Sequence, residues 1–86
     1  MSAILVVDDD LNVRKSTAKI LTHEGYEVEE QESGEDALRA IEKSLFDLVI
    51  CDLRMQAVDG IEVLRRSKEA HPDTIVLMMT AYATVD

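Results

Sequence analysis

Three observations predict an α/β protein built on a doubly wound parallel sheet. Short unbroken apolar runs at Ala3 to Val7, Leu48 to Cys51 and Thr74 to Met79 suit strands buried on both faces. Segments with apolar residues at helical spacing separate them, so the order reads β-α-β-α-β-α-β, with connections long enough for right-handed crossovers. Two of the runs end in acid, the first in Asp8, Asp9 and Asp10 and the second in Asp52. Open sheets of this kind take ligands outside the carboxyl ends of their strands, where the strand order reverses. Asp52 is therefore a site candidate, against the plainer reading that an aspartate there only begins a turn.

Each element has its own signal. Ala3 to Val7 is the first strand. From Leu11 to about Glu24, Val13, Ile20 and Leu21, with Thr17 between them, recur at helical spacing; Asp10 or Asp9 can cap this helix and Gly25 end it. Tyr26 to Glu30 alternates, with Tyr26 and Val28 on one face and acids on the other, which predicts a half-exposed edge strand. Ser33 and Asp36 resemble a capping box with Asp in place of the usual Glu or Gln, and Ala37, Leu38 and Ile41 give the second helix one apolar stripe. The third strand follows at Leu48. Asp59, with Glu62 three residues on, caps a third helix carrying Ile61, Val63 and Leu64, which the His71-Pro72 step stops. Thr74 to Met79 forms the fourth strand, ending at Thr80. Charged alternation belongs at an edge and continuous apolar runs inside, which predicts the strand order 2-1-3-4 with its reversal between strands one and three. Asp8, Asp9 and Asp52 then meet at one crevice, beside the strand that Thr80 ends.

Composition narrows the function. The 86 residues, 47% hydrophobic and 31% charged, hold one small domain. No stretch approaches the roughly 18 consecutive apolar residues of a membrane span, and no secretory leader is evident, so a soluble cytoplasmic protein is expected. The net charge of −9, from 18 acids against 9 Lys and Arg, opposes contact with a phosphate backbone, so no direct nucleic-acid binding is expected of this stretch. The single cysteine, Cys51, lies within an apolar run and reads as a small buried hydrophobe.

Two unit charges about 5 Å apart at an effective dielectric near 20 repel by roughly 3 kcal/mol, so three clustered carboxylates oppose folding unless protons or a cation neutralise them. Oxygen ligands, few in number and completed by water, suit Mg²⁺. A carboxylate facing such an ion can attack a phosphoryl group and become an acyl phosphate, and a hydroxyl such as that of Thr80 can help position the transferred group. Competing sites are weak. Gly25, Gly34 and Gly60 stand alone, so neither a P-loop nor a dinucleotide fingerprint is present. His23 and His71 read as surface or capping residues, no Cys/His set has zinc spacing, Met55, Met78 and Met79 read as core filler, and Arg65 and Arg66 as a solvated helix face.

The stretches I-L-V-V-D-D-D, then D-L-V-I-C-D-L-R-M-x-x-x-D-G, then I-V-L-M-M-T-A-Y-A, in that order and spacing, resemble the receiver domain of two-component response regulators. The M-T-A-Y-A ending is most similar to receivers at the front of enhancer-binding transcription activators, which carry an ATPase and a DNA-binding domain downstream. The resemblance implies a flavodoxin-like fold and a signalling domain rather than an enzyme. It implies Asp52 as the phosphoacceptor and a Mg²⁺ site formed by Asp9 directly, Asp8 through water, Asp52, and the backbone carbonyl of Arg54. Thr80 would be the switch hydroxyl that moves to the phosphoryl oxygen, with Ala81 beside it in the phosphate-binding stretch. The phosphoryl group would come from a histidine of a partner kinase docking near the start of helix one.

Two departures stand out. Gln56 and Ala57 occupy positions where the family usually has Pro and often Gly. The chain also stops at Asp86, before the family's fifth strand, its phosphate-binding lysine and its last helix, and none of Lys15, Lys19, Lys43 or Lys68 ends a strand. Residues 1–86 are thus expected to form a receiver domain incomplete at its C-terminus, with strand four an apolar edge through which the chain self-associates. The alternative function is a binding or self-association module that keeps the fold but works without phosphate. A small aspartyl-phosphate hydrolase fits poorly, since Arg54 stands where its D-x-D signature needs a second aspartate.

Overall fold

The computed structural model describes residues 2–53 and 58–79. Four parallel strands, β1 (Ala3–Val7), β2 (Glu27–Gln31), β3 (Leu48–Asp52) and β4 (Ile75–Met79), lie in the order β2-β1-β3-β4, as expected. Helices α1 (Leu11–His23), α2 (Gly34–Lys43) and α3 (Gly60–Ala70) connect them. Side chains alternate across a strand, so the apolar runs feed two cores. Leu5, Val7, Val49 and Cys51 meet Ala37, Ala40, Ile41 and Val63 of α2 and α3 on one face. Ile4, Val6 and Ile50 form the other, with Leu21 of α1 and Val28 packed against them.

The caps are those the sequence specifies. Asp10 accepts the amides of Asn12 and Val13, Ser33 that of Asp36, and Asp59 that of Glu62. Gly25 has φ +99°, a left-handed conformation that ends α1 at little steric cost. His71 caps α3 one residue before Pro72, and its Nε2 lies 3.1 Å from the carbonyl of Ile41.

The inward face of α1 differs from the expected stripe. Ala18 is buried and Leu21 half-buried, whereas Ile20 is 64% exposed and Val13 lies at the surface. The helix rests on β1 and β2 through its small residue, which lets the backbones approach, and the adjacent stripe of larger residues turns outward. Ile61 likewise points out, and α3 buries Gly60, Val63 and Ser67 instead. β2 starts one residue later than expected and leaves Tyr26 exposed in the preceding turn. Thr74 precedes β4 and is buried, its hydroxyl donating to the carbonyl of Phe46 at 2.6 Å.

Candidate functional site

β1 and β3 are neighbours paired Val7 with Cys51, so the residues that follow these two, Asp8 and Asp52, reach the same end of the sheet. Strand order reverses there, with β2 on the far side of β1 and β4 on the far side of β3. One carboxylate oxygen from each of Asp8, Asp9 and Asp52 lies within 4.8 Å of the others. Asp8 is buried, Asp52 half-buried and Asp9 exposed, so the cluster grades from the protein interior to solvent. Asp10 serves α1 as its N-cap.

The backbone holds Asp8 firmly. Its amide donates to the carbonyl of Gln31 at 3.1 Å, and its Oδ1 accepts the amide of Asp10 at 2.9 Å. Burial pushes the Asp8 carboxyl above its ordinary value; the Asp10 amide pulls it back, and the charges of Asp52, Asp9 and Asp10 push it up further. Cys51, directly before Asp52, is fully buried. Burial, then the charges of Asp52, Asp8 and Asp59, push its thiol up to about 12, which leaves it protonated and unreactive at neutral pH.

Asp8, Asp9 and Asp52 are thus brought together as the sequence predicts. The other predicted site residues, Arg54, Thr80 and Ala81, lie outside the described residues. β4 is described as far as Met79, which pairs in register with Asp52. A groove along α1, lined by Lys15, Ala18, Lys19, Thr22, His23 and Glu30, contains none of the three aspartates.

Sequence reasoning missed Arg14. It projects from α1 toward β2, where its Nε meets Glu30 Oε1 at 3.3 Å, and its Nη1 donates to the carbonyl of Asp8 at 2.9 Å. The signal available was an arginine on the first turn of a helix that begins beside an acid cluster, opposite a strand with alternating glutamates.

A set of carboxylates without nitrogen or sulfur donors, one of them strained by burial and like charge, fits a hard divalent cation of the Mg²⁺ type. The same arrangement places one half-buried carboxylate, Asp52, at the mouth of the crevice.

Comparison with known proteins gives a consistent family. Residues 4–86 match the response regulator receiver domain. The transcriptional regulatory protein ZraR of Klebsiella oxytoca is 45% identical over 83 residues, covering 96% of this chain but 19% of its own length. The chain thus spans about a fifth of that relative. Sporulation initiation phosphotransferase F of Bacillus subtilis is 36% identical, covering 96% of this chain and 67% of its own. Among solved structures, the response regulator TrrA of Thermotoga maritima in complex with Mg²⁺ and BeF superposes with a TM-score of 0.91 at 38% identity, covering 96% of this chain and 72% of that one. TrrA in complex with the histidine kinase ThkA superposes at 0.88, again with 38% identity, covering 98% of this chain and 72% of that one.

Proposed function

This chain belongs to the response regulator receiver domain family, and on that premise we propose that Asp52 accepts a phosphoryl group from a histidine of a partner kinase, with Mg²⁺ held by Asp8, Asp9 and Asp52. The observation that carries this reading is the convergence of three carboxylate oxygens within 4.8 Å at the carboxyl ends of β1 and β3. A bound Mg²⁺ supplies neutralisation of the charge that develops on the transferring group. An Asp52 oxygen attacks phosphorus, forming the O–P bond of an acyl phosphate as the N–P bond of the phosphohistidine breaks and the released imidazole takes up a proton. Asp9, with Asp8 helping through water, would hold the cation beside Asp52, and the fixed backbone around Asp8 keeps these carboxylates in place before the donor arrives. Arg54, Thr80 and Ala81 lie outside the described residues; on the family resemblance the carbonyl of Arg54 would join the cation's ligands, and the hydroxyl of Thr80, with Ala81 beside it, would respond to the phosphoryl group. Asp52 acts as an acceptor in a signalling relay and does not turn over a substrate.

Relatives of two kinds support the setting. ZraR is a transcriptional regulatory protein, which supports the reading that this domain serves in transcription regulation. The ThkA–TrrA pair supports a histidine kinase as the partner, and such a relay belongs in the cytoplasm. Among the described residues no helix is long and apolar enough to cross a membrane. The acidic charge of −9 supports the reading that this stretch does not itself contact nucleic acid. On the same reading residues 1–86 act as a receiver domain, and the exposure of Ile75 and Leu77 on β4 supports a surface for self-association. The phosphate-independent module is not favoured, because it gives the acid cluster no task that offsets its repulsion.

Intact-mass spectrometry after incubation with Mg²⁺ and a small-molecule phosphodonor tests the reading. One phosphoryl adduct is expected, lost in Asp52→Asn and when the metal is chelated. A folded protein that takes no adduct would overturn it.

A further inference from the structure

The geometry points to Arg14 as a positioning residue for the cation site, an inference that rests on the Mg²⁺ reading above. Its guanidinium closes a small circuit around the Asp8–Asp9 peptide. Nη1 donates to the Asp8 carbonyl at 2.9 Å, Nε engages Glu30 on β2 at 3.3 Å, and the neighbouring Gln31 carbonyl takes the Asp8 amide at 3.1 Å. Both polar groups of the Asp8 backbone are therefore anchored, one to β2 directly and one through Arg14. The Asp8 carbonyl belongs to the peptide that leads into Asp9, so fixing it sets the direction in which Asp9 leaves the strand. Asp9 is exposed, and the circuit supplies a restraint that burial does not.

The arrangement goes beyond what an ordinary surface ion pair needs. The Arg14 side chain is only 12% exposed, and that of Glu30 26%. Lys15 also reaches Glu30, at 3.3 Å, and keeps the carboxylate in place from the solvent side. A lysine at position 14 would keep the charge but lacks the planar fork that bonds a carbonyl and a carboxylate together. Groups that orient a metal ligand without touching the ion commonly change affinity by tenfold or more when removed.

The test is a Mg²⁺ titration of the whole chain followed by the amide resonances of Asp9 and Asp10, with urea unfolding in chelator run on each variant. Arg14→Gln and Arg14→Lys are expected to bind Mg²⁺ about tenfold more weakly while still folded, with Asp8–Asp10 amides broadened before metal is added. Glu30→Gln is expected to weaken binding less, because the bond to the Asp8 carbonyl survives. Arg14→Lys or Arg14→Gln binding within twofold of wild type would overturn the inference. If neither Arg14 variant folds, Glu30→Gln decides, and unchanged affinity with sharp Asp8–Asp10 amides overturns it. A wild-type protein in which Mg²⁺ shifts neither resonance would remove the cation reading itself, and this inference with it.

Discussion

Gly60 at the start of α3 lies against the carbonyl of Asp52. A Cβ added there would stand 2.6 Å from that oxygen and 3.0 Å from Leu53 Cα, and would also meet the end of Met78. The methionine can swing aside, but the backbone of Asp52 cannot move without displacing its carboxylate, the proposed phosphoacceptor. Gly60→Ala gains up to about 1 kcal/mol of helix propensity and loses more to the clash, so a net destabilisation of about 1–3 kcal/mol is expected in urea unfolding. Phosphoryl uptake should fall along with it. Unchanged stability and uptake would show that α3 can retreat from β3.

Asp9 and Asp10 are adjacent acids, the first proposed to hold the cation and the second capping α1, and one pair of variants separates them. Asp10 Oδ1 accepts the amides of Asn12 at 2.9 Å and Val13 at 3.2 Å. Asp10→Ala should cost about 1 kcal/mol of stability, the usual cost of losing such a cap, and leave Mg²⁺ binding largely in place. Asp9→Asn should leave the unfolding curve in chelator near wild type and abolish most Mg²⁺ binding. Thermal unfolding with and without Mg²⁺ reads both effects, and a reversed pattern would exchange the two roles.

Much of this was legible in the residues, for physical reasons. The runs Ala3 to Val7 and Leu48 to Cys51 are apolar at every position, a pattern only a strand with two covered faces needs, and acids just past such runs land at one end of a parallel sheet. Side-chain oxygens at Asp10, Ser33 and Asp59 announce helix starts because unpaired amides there need acceptors. The inward face of α1 was not legible. Val13, Thr17 and Ile20 form as good a stripe as Arg14, Ala18 and Leu21, and close packing on β1 and β2 selects the second. Arg14 escaped notice because its partners, the Asp8 carbonyl and Glu30, come together only in the fold.

The two edge strands of the described sheet contrast. β2 carries Glu27, Glu29 and Glu30, charges that discourage pairing with another chain, whereas β4 is Ile-Val-Leu-Met-Met with Ile75 64% and Leu77 50% exposed. Sedimentation of this 86-residue chain should therefore show association that rises with concentration. Replacing Ile75 and Leu77 together by Lys should return it to a monomer while changing stability by no more than about 0.5 kcal/mol per site, as expected of exposed positions. A wild-type monomer at high concentration would rule out association through β4.

Asp8 offers the sharpest test of why three acids share one crevice. Its carboxyl is raised above the ordinary value, first by burial and then by Asp52, Asp9 and Asp10, so the folded chain holds that proton more tightly than the unfolded chain. Stability from this group is therefore greatest below the unfolded carboxylate range and is lost as pH rises through the folded value. At neutral pH the metal-free protein bears the whole cost. Asp8→Asn keeps an oxygen for the Asp10 amide and removes the charge, so in chelator it should be more stable than wild type by about 1–3 kcal/mol at pH 7. The gap should close as the pH is lowered. Adding Mg²⁺ should reverse the ranking, because mass action stabilises the wild type in proportion to its binding while the variant has lost a ligand. An Asp8→Asn protein less stable than wild type in chelator at pH 7 would mean that Asp8 supports the fold, and the acid cluster would then need no cation.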